Sequence, residues 1–135
     1  MCKIRVFRIM PDNDLLEGVK EYCKKNQIQS GIVIGIIGSL KSAKLGFLKS
    51  LPANYITKDF SGPLEIVCAQ GNISICDKEV VVHIHILVSN EDNAVGGHLV
   101  EANVFSTAEG VIQELDYQLK RKLDDYTGLN EIINY

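Results

Sequence analysis

The three histidines of this chain are the residues whose spacing most clearly allows chemistry. All of them fall within one stretch of 16 residues, as His83, His85 and His98. Side chains two residues apart in a β-strand point to the same face, so a strand through this segment places His83 beside His85. The position of His98 then decides whether the histidines form a pair or a cluster.

The segment between His85 and His98 has the composition of a hairpin turn. The polar run 89–93 separates two apolar stretches, as is typical of a turn that joins two strands. If the turn centres on Glu91 and Asp92, counting outward places His85 directly opposite His98. Directly opposed residues share a face with their side chains about 5 Å apart, whereas a slip of one residue would turn His98 away. The sequence therefore predicts three converging imidazoles.

Three neutral imidazoles favour Zn²⁺ and leave one of its four tetrahedral positions open. Such a site could be structural, catalytic or ligand-sensing. Glu101 and Glu109 are the acidic residues in the sequence that could lie near the metal or accept a hydrogen bond from a ligating histidine. Gly97 could leave room for a ligand. The alternative interpretation is two solvent-facing histidines, a third in a loop, and ordinary solvated carboxylates.

Composition indicates one globular domain over residues 1–135. Hydrophobic residues make up 46% of the chain and charged residues 23%, enough for a hydrophobic core of ordinary size. No apolar run reaches the ~18 residues of a membrane helix, and the N-terminus lacks the apolar region of a signal peptide. The four cysteines have no CxxC spacing, so we expect reduced thiols, a cytoplasmic location and no membrane association.

The charge of the chain argues against strong direct binding to nucleic acid. The formal net charge is −3, and the longest basic cluster is Lys120-Arg121-Lys122. DNA-binding proteins gain much of their affinity by neutralising phosphates with lysine and arginine. The sequence therefore predicts weak direct binding to DNA.

One helix is predicted over residues 14–26. Asp14 followed by Glu17 resembles a capping box, and the residues after it recur at helical spacing: Leu15, Leu16, Val19, Tyr22 and Cys23.

Most of the remaining chain has the alternating or β-branched pattern of strands. The predicted strands cover residues 2–9, 31–40, 42–48, 55–60, 64–75 and 79–88. Turns are predicted at Ser61-Gly62-Pro63 and at 125–128, while residues 100–124 fit a helix and a strand equally well. The predicted fold class is α+β, a single compact domain with a mostly antiparallel or mixed sheet and one well-defined helix.

Four motifs, taken in this order, resemble the PPC (plants and prokaryotes conserved) domain family: Gly71-Asn72-Ile73-Ser74, His83-Ile84-His85-Ile86, Gly96-Gly97-His98-Leu99 and Thr107-Ala108-Glu109. The segments 35–40 and 125–129 are similar to the family as well, so the resemblance covers nearly the whole chain. The combination of the two histidine motifs at this spacing is the specific part.

The resemblance implies a compact α/β domain that assembles as a homotrimer. In plants such domains follow AT-hooks in nuclear proteins and contact other regulators. Prokaryotic members commonly carry a DNA-binding label and resemble metal-binding proteins at the three histidines. This chain has no AT-hook, and its segment 62–66 lacks the arginine of the plant pattern, so it is most similar to the free-standing prokaryotic type.

Two functional hypotheses follow. The first is a zinc-binding homotrimer with a regulatory or DNA-associated role, which acts through assembly and partners more than through direct DNA binding. The second is a metal-dependent enzyme or small-molecule binder that uses the open position of a three-histidine site.

Overall fold

A computed structural model describes residues 2–133 of the chain. The elements, in chain order, are β1 Ile4–Ile9, α1 Leu15–Lys25, β2 Gly31–Ser50, β3 Asn54–Cys76, β4 Glu79–Ser89, β5 Ala94–Glu114, β6 Arg121–Leu123 and β7 Asn130–Ile132. Antiparallel strands dominate the described residues, and α1 is their one α-helix. The expected α+β class therefore describes the fold only loosely.

The long strands form a sheet that closes on itself. Its order is β1-β5-β2-β3-β4, and β4 also pairs with β5. The first residues of β5, 94–98, pair with β4, whereas residues 108–113 pair with β1. Strands β2, β3, β4 and β5 thus form a ring, which supplies hydrogen-bonding partners along most of their length.

The hydrophobic core lies inside this ring. Along β4, Ile84, Ile86 and Val88 are at most 3% exposed, and the alternation of a strand turns the residues between them to the outer face. Helix α1 completes the core because Leu15, Val19 and Cys23 are fully buried where it packs against β1, β4 and β5. His83 and His85 consequently lie outside the ring.

The predicted helix is confirmed within a residue at each end. Oδ2 of Asp14 accepts a hydrogen bond from the backbone N–H of Glu17 at 2.8 Å, as an N-cap should. Its Oδ1 accepts another from the backbone N–H of Ala102 at 2.7 Å. One carboxylate therefore begins the helix and fastens it to β5.

The segment 100–124, which fitted both a helix and a strand, is strand up to residue 114 and again in β6. Strand β5 continues to Glu114, with β1 on one side and β2 on the other. Ala108 and Ile112 are fully buried in it. Pairing on both sides and burial outweigh the helical spacing of the apolar residues, because strand formation depends strongly on packing context.

The predicted turn at Ser61-Gly62-Pro63 is wrong. Those residues lie inside β3, at a bulge where Gly62 and Pro63 oppose the single residue Lys41 of β2. Four predicted segments are therefore two long strands, since a bulge interrupts the regular pairing without ending the strand. The predicted turn at 125–128 is confirmed and joins β6 to β7.

The four cysteines are free thiols. Burial, with a smaller contribution from Glu114, raises the pKa of Cys23 to about 11, so this thiol is inert. No helix within residues 2–133 has the length and the apolar character needed to cross a membrane.

A glycine on β3 gives a stability test of the pairing that supports His83. A Cβ at Gly71 would lie 1.9 Å from the backbone oxygen of His83, so Gly71→Ala must push β4 away from β3. We expect a loss of about 1–3 kcal/mol or more in the free energy of unfolding. Gly35→Ala is the matched control because a Cβ there meets nothing within 4 Å. Equal urea midpoints for the two variants would contradict this account.

Candidate metal centre

The histidines lie on the outer face of the hairpin formed by β4 and β5. His85 is paired with His98, and His83 lies two residues before His85 on the same face. The backbone N–H of Asn90 donates to the oxygen of Asn93 at 3.0 Å, which closes the turn. The predicted register of this hairpin is confirmed.

The three rings form a compact triangle. The ring centroids of His83 and His85 are 5.1 Å apart, those of His83 and His98 5.1 Å, and those of His85 and His98 5.5 Å. One nitrogen from each ring lies within 4.8 Å of the other two. Ring nitrogens bind zinc at about 2.0–2.1 Å, so small side-chain rotations would let one ion reach all three.

The electrostatic environment favours the neutral imidazoles of His83 and His98, because the pKa of each is lowered. Burial lowers the pKa of His83 to about 4, and the positive charge of His98, Arg121 and His85 adds to the effect. Burial and then His85 lower the pKa of His98 as well. Neutral imidazole is the state that binds a metal ion, so the lowered pKa values of His83 and His98 favour metal binding by these two rings.

One buried ring nitrogen of the cluster lacks a hydrogen-bond partner. Nδ1 of His98 is buried and makes no hydrogen bond among the described residues. An unsatisfied buried polar atom costs about 1–3 kcal/mol, and a bound ion or water is a common reason for such an atom. Three converging imidazole nitrogens and this unsatisfied ring fit a transition-metal site.

Arg121, on β6, lies next to the ring of His83. Its Nε donates to Oγ of Ser74 at 2.7 Å, its Nη2 to Oδ1 of Asn72 at 2.7 Å, and its Nη1 to the backbone oxygen of Asn130 at 2.8 Å. Nη2 also lies 3.4 Å from Nδ1 of His83. The sequence shows Arg121 only as part of a short basic cluster, because nothing local indicates that β6 crosses beside β3 and β4.

The contact between Arg121 and His83 depends on the protonation of the ring. A guanidinium has donors and no acceptor, so Nδ1 of His83 must be unprotonated to accept from it. A ring that binds a metal through Nε2 carries its proton on Nδ1 instead. Metal binding in that mode would therefore break this long contact and release an N–H of Arg121.

A cavity of about 410 Å³ opens onto two of the histidines, His83 and His98. Arg121 and Glu131 provide its charged groups. The other lining residues are mostly apolar or small: Gly46, Tyr55, Thr57, Val81, Val82, Val100, Leu129 and Asn130. This volume is in the range of small-molecule sites.

The other residues singled out in the sequence lie elsewhere. Glu101 is an exposed residue that pairs with Lys44 at 3.2 Å and lines a separate cavity. Glu109 is exposed eleven residues beyond His98 on β5, roughly 35 Å along the strand. Gly97 packs on the core side, where a Cβ would lie 3.1 Å from the ring of Phe47. The acidic residue at the cavity is Glu131, which comes from the distant strand β7.

Residues 1–116 match the Plants and Prokaryotes Conserved domain family, abbreviated PCC or PPC. The chain belongs to this family. Both histidine motifs lie within the matched residues.

Solved structures share this PPC fold over nearly the whole chain. A metal-containing protein from Archaeoglobus fulgidus is 29% identical with a TM-score of 0.89, covering 98% of this chain and 94% of that one. A PPC protein from Pyrococcus horikoshii is 30% identical with a TM-score of 0.89, covering 98% and 92%. A candidate DNA-binding protein from Bacteroides thetaiotaomicron is 27% identical with a TM-score of 0.90, covering 96% and 91%.

Two curated relatives are longer proteins. The bifunctional protein GlmU from two strains of Synechococcus is 31% and 29% identical to this chain over 96% of its length. The chain spans about one fifth (20%) of each of those proteins.

The depressed pKa of His83 predicts a pH dependence for the metal-free protein. The ordinary value is 6.5 and the folded value about 4, so between these values the unfolded chain binds more protons. The contribution of His83 to the free energy of unfolding should therefore fall as the pH drops from 6.5 to 4, and level off below 4.

Urea unfolding of chelated protein tests this, with His83→Gln as the control because glutamine does not titrate. The stability of the wild type relative to the variant should decrease across that window. A constant difference between the two proteins from neutral pH to pH 4 would refute the prediction.

Proposed function

We propose that this PPC protein binds zinc through His83, His85 and His98, and that it acts as a homotrimer with a regulatory or DNA-associated role. The observation that carries the proposal is the convergence of three imidazoles, with one ring nitrogen of each within 4.8 Å of the others. A relative from Archaeoglobus fulgidus with the same fold is a metal-containing protein, which supports a metal here.

A tri-histidine zinc site lowers the pKa of a bound water to about 7 and can polarise a carbonyl group. That chemistry, together with the cavity of about 410 Å³ beside the histidines, favours a second candidate function. The site would then belong to a small-molecule binder or a metal-dependent enzyme, with the cavity holding the ligand next to the ion.

Metal content is the direct test of the proposed zinc site. Protein purified without a histidine tag should carry about one transition-metal ion per chain, and the His83→Ala/His85→Ala double variant should lose it. Elemental mass spectrometry measures both. Cys68→Ser is the matched control, because Cys68 is an exposed free thiol that could hold zinc adventitiously. Equal metal in wild type and the double variant would exclude the histidine site.

An apolar outer face supports assembly. Ile4 is 57% exposed and Val6 73% on β1, and Ile37 is 60% exposed on β2. Ile4 on β1 and Ile32 on β2 pair with the same residue of β5, Gln113, from opposite sides, so their side chains lie on the same face of the sheet with β5 between them. Several exposed apolar side chains on one face are typical of protein interfaces, and a second and third copy of the chain would cover them.

Light scattering tests the assembly. The mass in solution at micromolar concentration should be about 45 kDa, three times the 15.0 kDa chain. Val6→Glu should shift the protein towards the monomer, because it places a charge in the buried interface. Tyr126→Glu is the control, since Tyr126 is similarly exposed, at 78%, in the distant turn between β6 and β7. A monomeric wild type, or equal effects of the two variants, would contradict the trimer.

The surface lysines support association with DNA through partners rather than directly. Lys41 pairs with Asp12, and Lys44 pairs with Glu101 at 3.2 Å and lies 4.0 Å from Asp59. Carboxylates therefore neutralise two of the basic residues that could have formed a phosphate-binding face.

Fluorescence anisotropy with duplex DNA tests the expectation that direct binding to DNA is weak. At ~150 mM salt we expect a dissociation constant of about 10⁻⁴ M or weaker, the weak end of the non-specific range. Saturable and sequence-selective binding below about 1 μM, tight enough for specific recognition, would restore direct DNA recognition as the leading function.

A further inference from the structure

Arg121 brings a half-buried positive charge to the cavity that the fold does not neutralise directly. Among the described residues it makes no ion pair with a carboxylate. Its hydrogen-bond partners, Ser74, Asn72 and Asn130, offer a hydroxyl and two amide oxygens, all neutral. A partly buried charge is costly unless an opposite charge lies nearby.

Most of the N–H groups of Arg121 donate hydrogen bonds within the protein. A guanidinium has five N–H groups, and the contacts with Ser74, Asn72, Asn130 and His83 occupy four of them. One N–H on Nη1 remains. The protein thus holds the guanidinium in place and leaves one donor at the cavity wall, where Glu131 offsets the positive charge from a distance without a direct ion pair.

The charge balance of the cavity is positive once the histidines hold a divalent ion. Three imidazoles contribute no charge, Arg121 contributes one positive charge, and Glu131 contributes one negative charge. With the ion, two positive charges remain uncompensated. An anion that reaches both the ion and Arg121 would reduce this excess, because such attraction is strong away from bulk water.

The remaining walls favour an apolar body on that anion. Val82, Val100 and Leu129 line the cavity together with Tyr55, whose ring centroid lies 5.7 Å from that of His98. Pockets that combine apolar walls with a few polar groups hold small organic molecules. A simple inorganic anion would leave these walls in contact with water.

We propose that the cavity binds a small carboxylate with an apolar body, placed with its carboxylate between the histidine-bound metal ion and Arg121. This inference rests on the proposed metal site and names the ligand class for it. A carboxylate fits better than a phosphate because Arg121 offers one free N–H on Nη1 and, once metal binding ends the contact with His83, a second on Nη2. Two N–H groups match the two oxygens of a carboxylate, whereas the remaining charged oxygens of a phosphate would face the apolar walls without partners.

Calorimetry on the full chain, with metal content measured in the same sample, tests the inference. The probes are benzoate, its uncharged counterpart benzamide, and inorganic phosphate. Metal-loaded wild type should bind benzoate at least about tenfold more tightly than benzamide, and more tightly than phosphate. A metal-loaded protein that binds benzoate no better than benzamide, or prefers phosphate, would overturn the inference and leave the metal site intact.

Variants test the role assigned to Arg121. Arg121→Gln should weaken benzoate binding about tenfold or more, while Lys122→Gln removes the same charge from the neighbouring exposed residue and should have little effect. Equal effects of the two variants would overturn the assignment.

Because Arg121→Gln could destabilise the packing of β6, Val100→Glu and Val100→Lys provide a second test on an exposed residue of the cavity wall. Glutamate should weaken benzoate binding and lysine should not, and identical affinities would count against the proposal.

If the purified wild type contains no metal, its ligand preference separates the zinc-site proposal from the carboxylate-site proposal. If it still prefers benzoate to benzamide through Arg121, the metal proposal fails and the carboxylate site stands. If it has neither metal nor this preference, both fail.

Discussion

The antiparallel register between β4 and β5 is the constraint on which this molecule's chemistry depends. Pairing of His85 with His98 places three imidazoles on one face, and a slip of one residue would move His98 into the core. Two features hold the register: the tight turn closed by Asn90, and the alternation that buries Ile84 and Ile86. Errors of register would therefore expose apolar side chains as well as disperse the cluster, so the stability of the core protects the geometry of the site.

Strands outside the β4–β5 hairpin position the groups around the histidines. Strand β3 approaches the backbone of His83 so closely that only a glycine fits at position 71. Strand β6 then carries Arg121 to the edge of the cluster, where hydrogen bonds to Asn72 and Ser74 hold it. The resulting cavity combines two of the three clustered imidazoles, a fixed cation, one carboxylate and apolar walls, a combination that suits the recognition of an organic anion.

Local and nearest-neighbour signals account for what the sequence predicts correctly. The helix follows from the capping residue Asp14 and its apolar spacing, and the hairpin register follows from counting outward from one turn. Long-range pairing explains what the sequence does not show. The strand character of residues 100–114 depends on β1 and β2, and Arg121 and Glu131 reach the cavity through short strands that lie far from the histidines in sequence. Glu101 and Glu109 are near the histidines in sequence, but the path of β5 and the ion pair with Lys44 keep them apart from the cluster.

X-ray absorption at the metal edge of the purified protein tests the central claim most directly, because it identifies the atoms bound to the ion. The account predicts zinc with nitrogen ligands at about 2.0–2.1 Å, with the multiple scattering of imidazole rings and no sulfur, and loss of that imidazole signal in His98→Ala. Sulfur ligands at about 2.3 Å, which would indicate cysteine coordination, or a shell of oxygen atoms without imidazole, would contradict it.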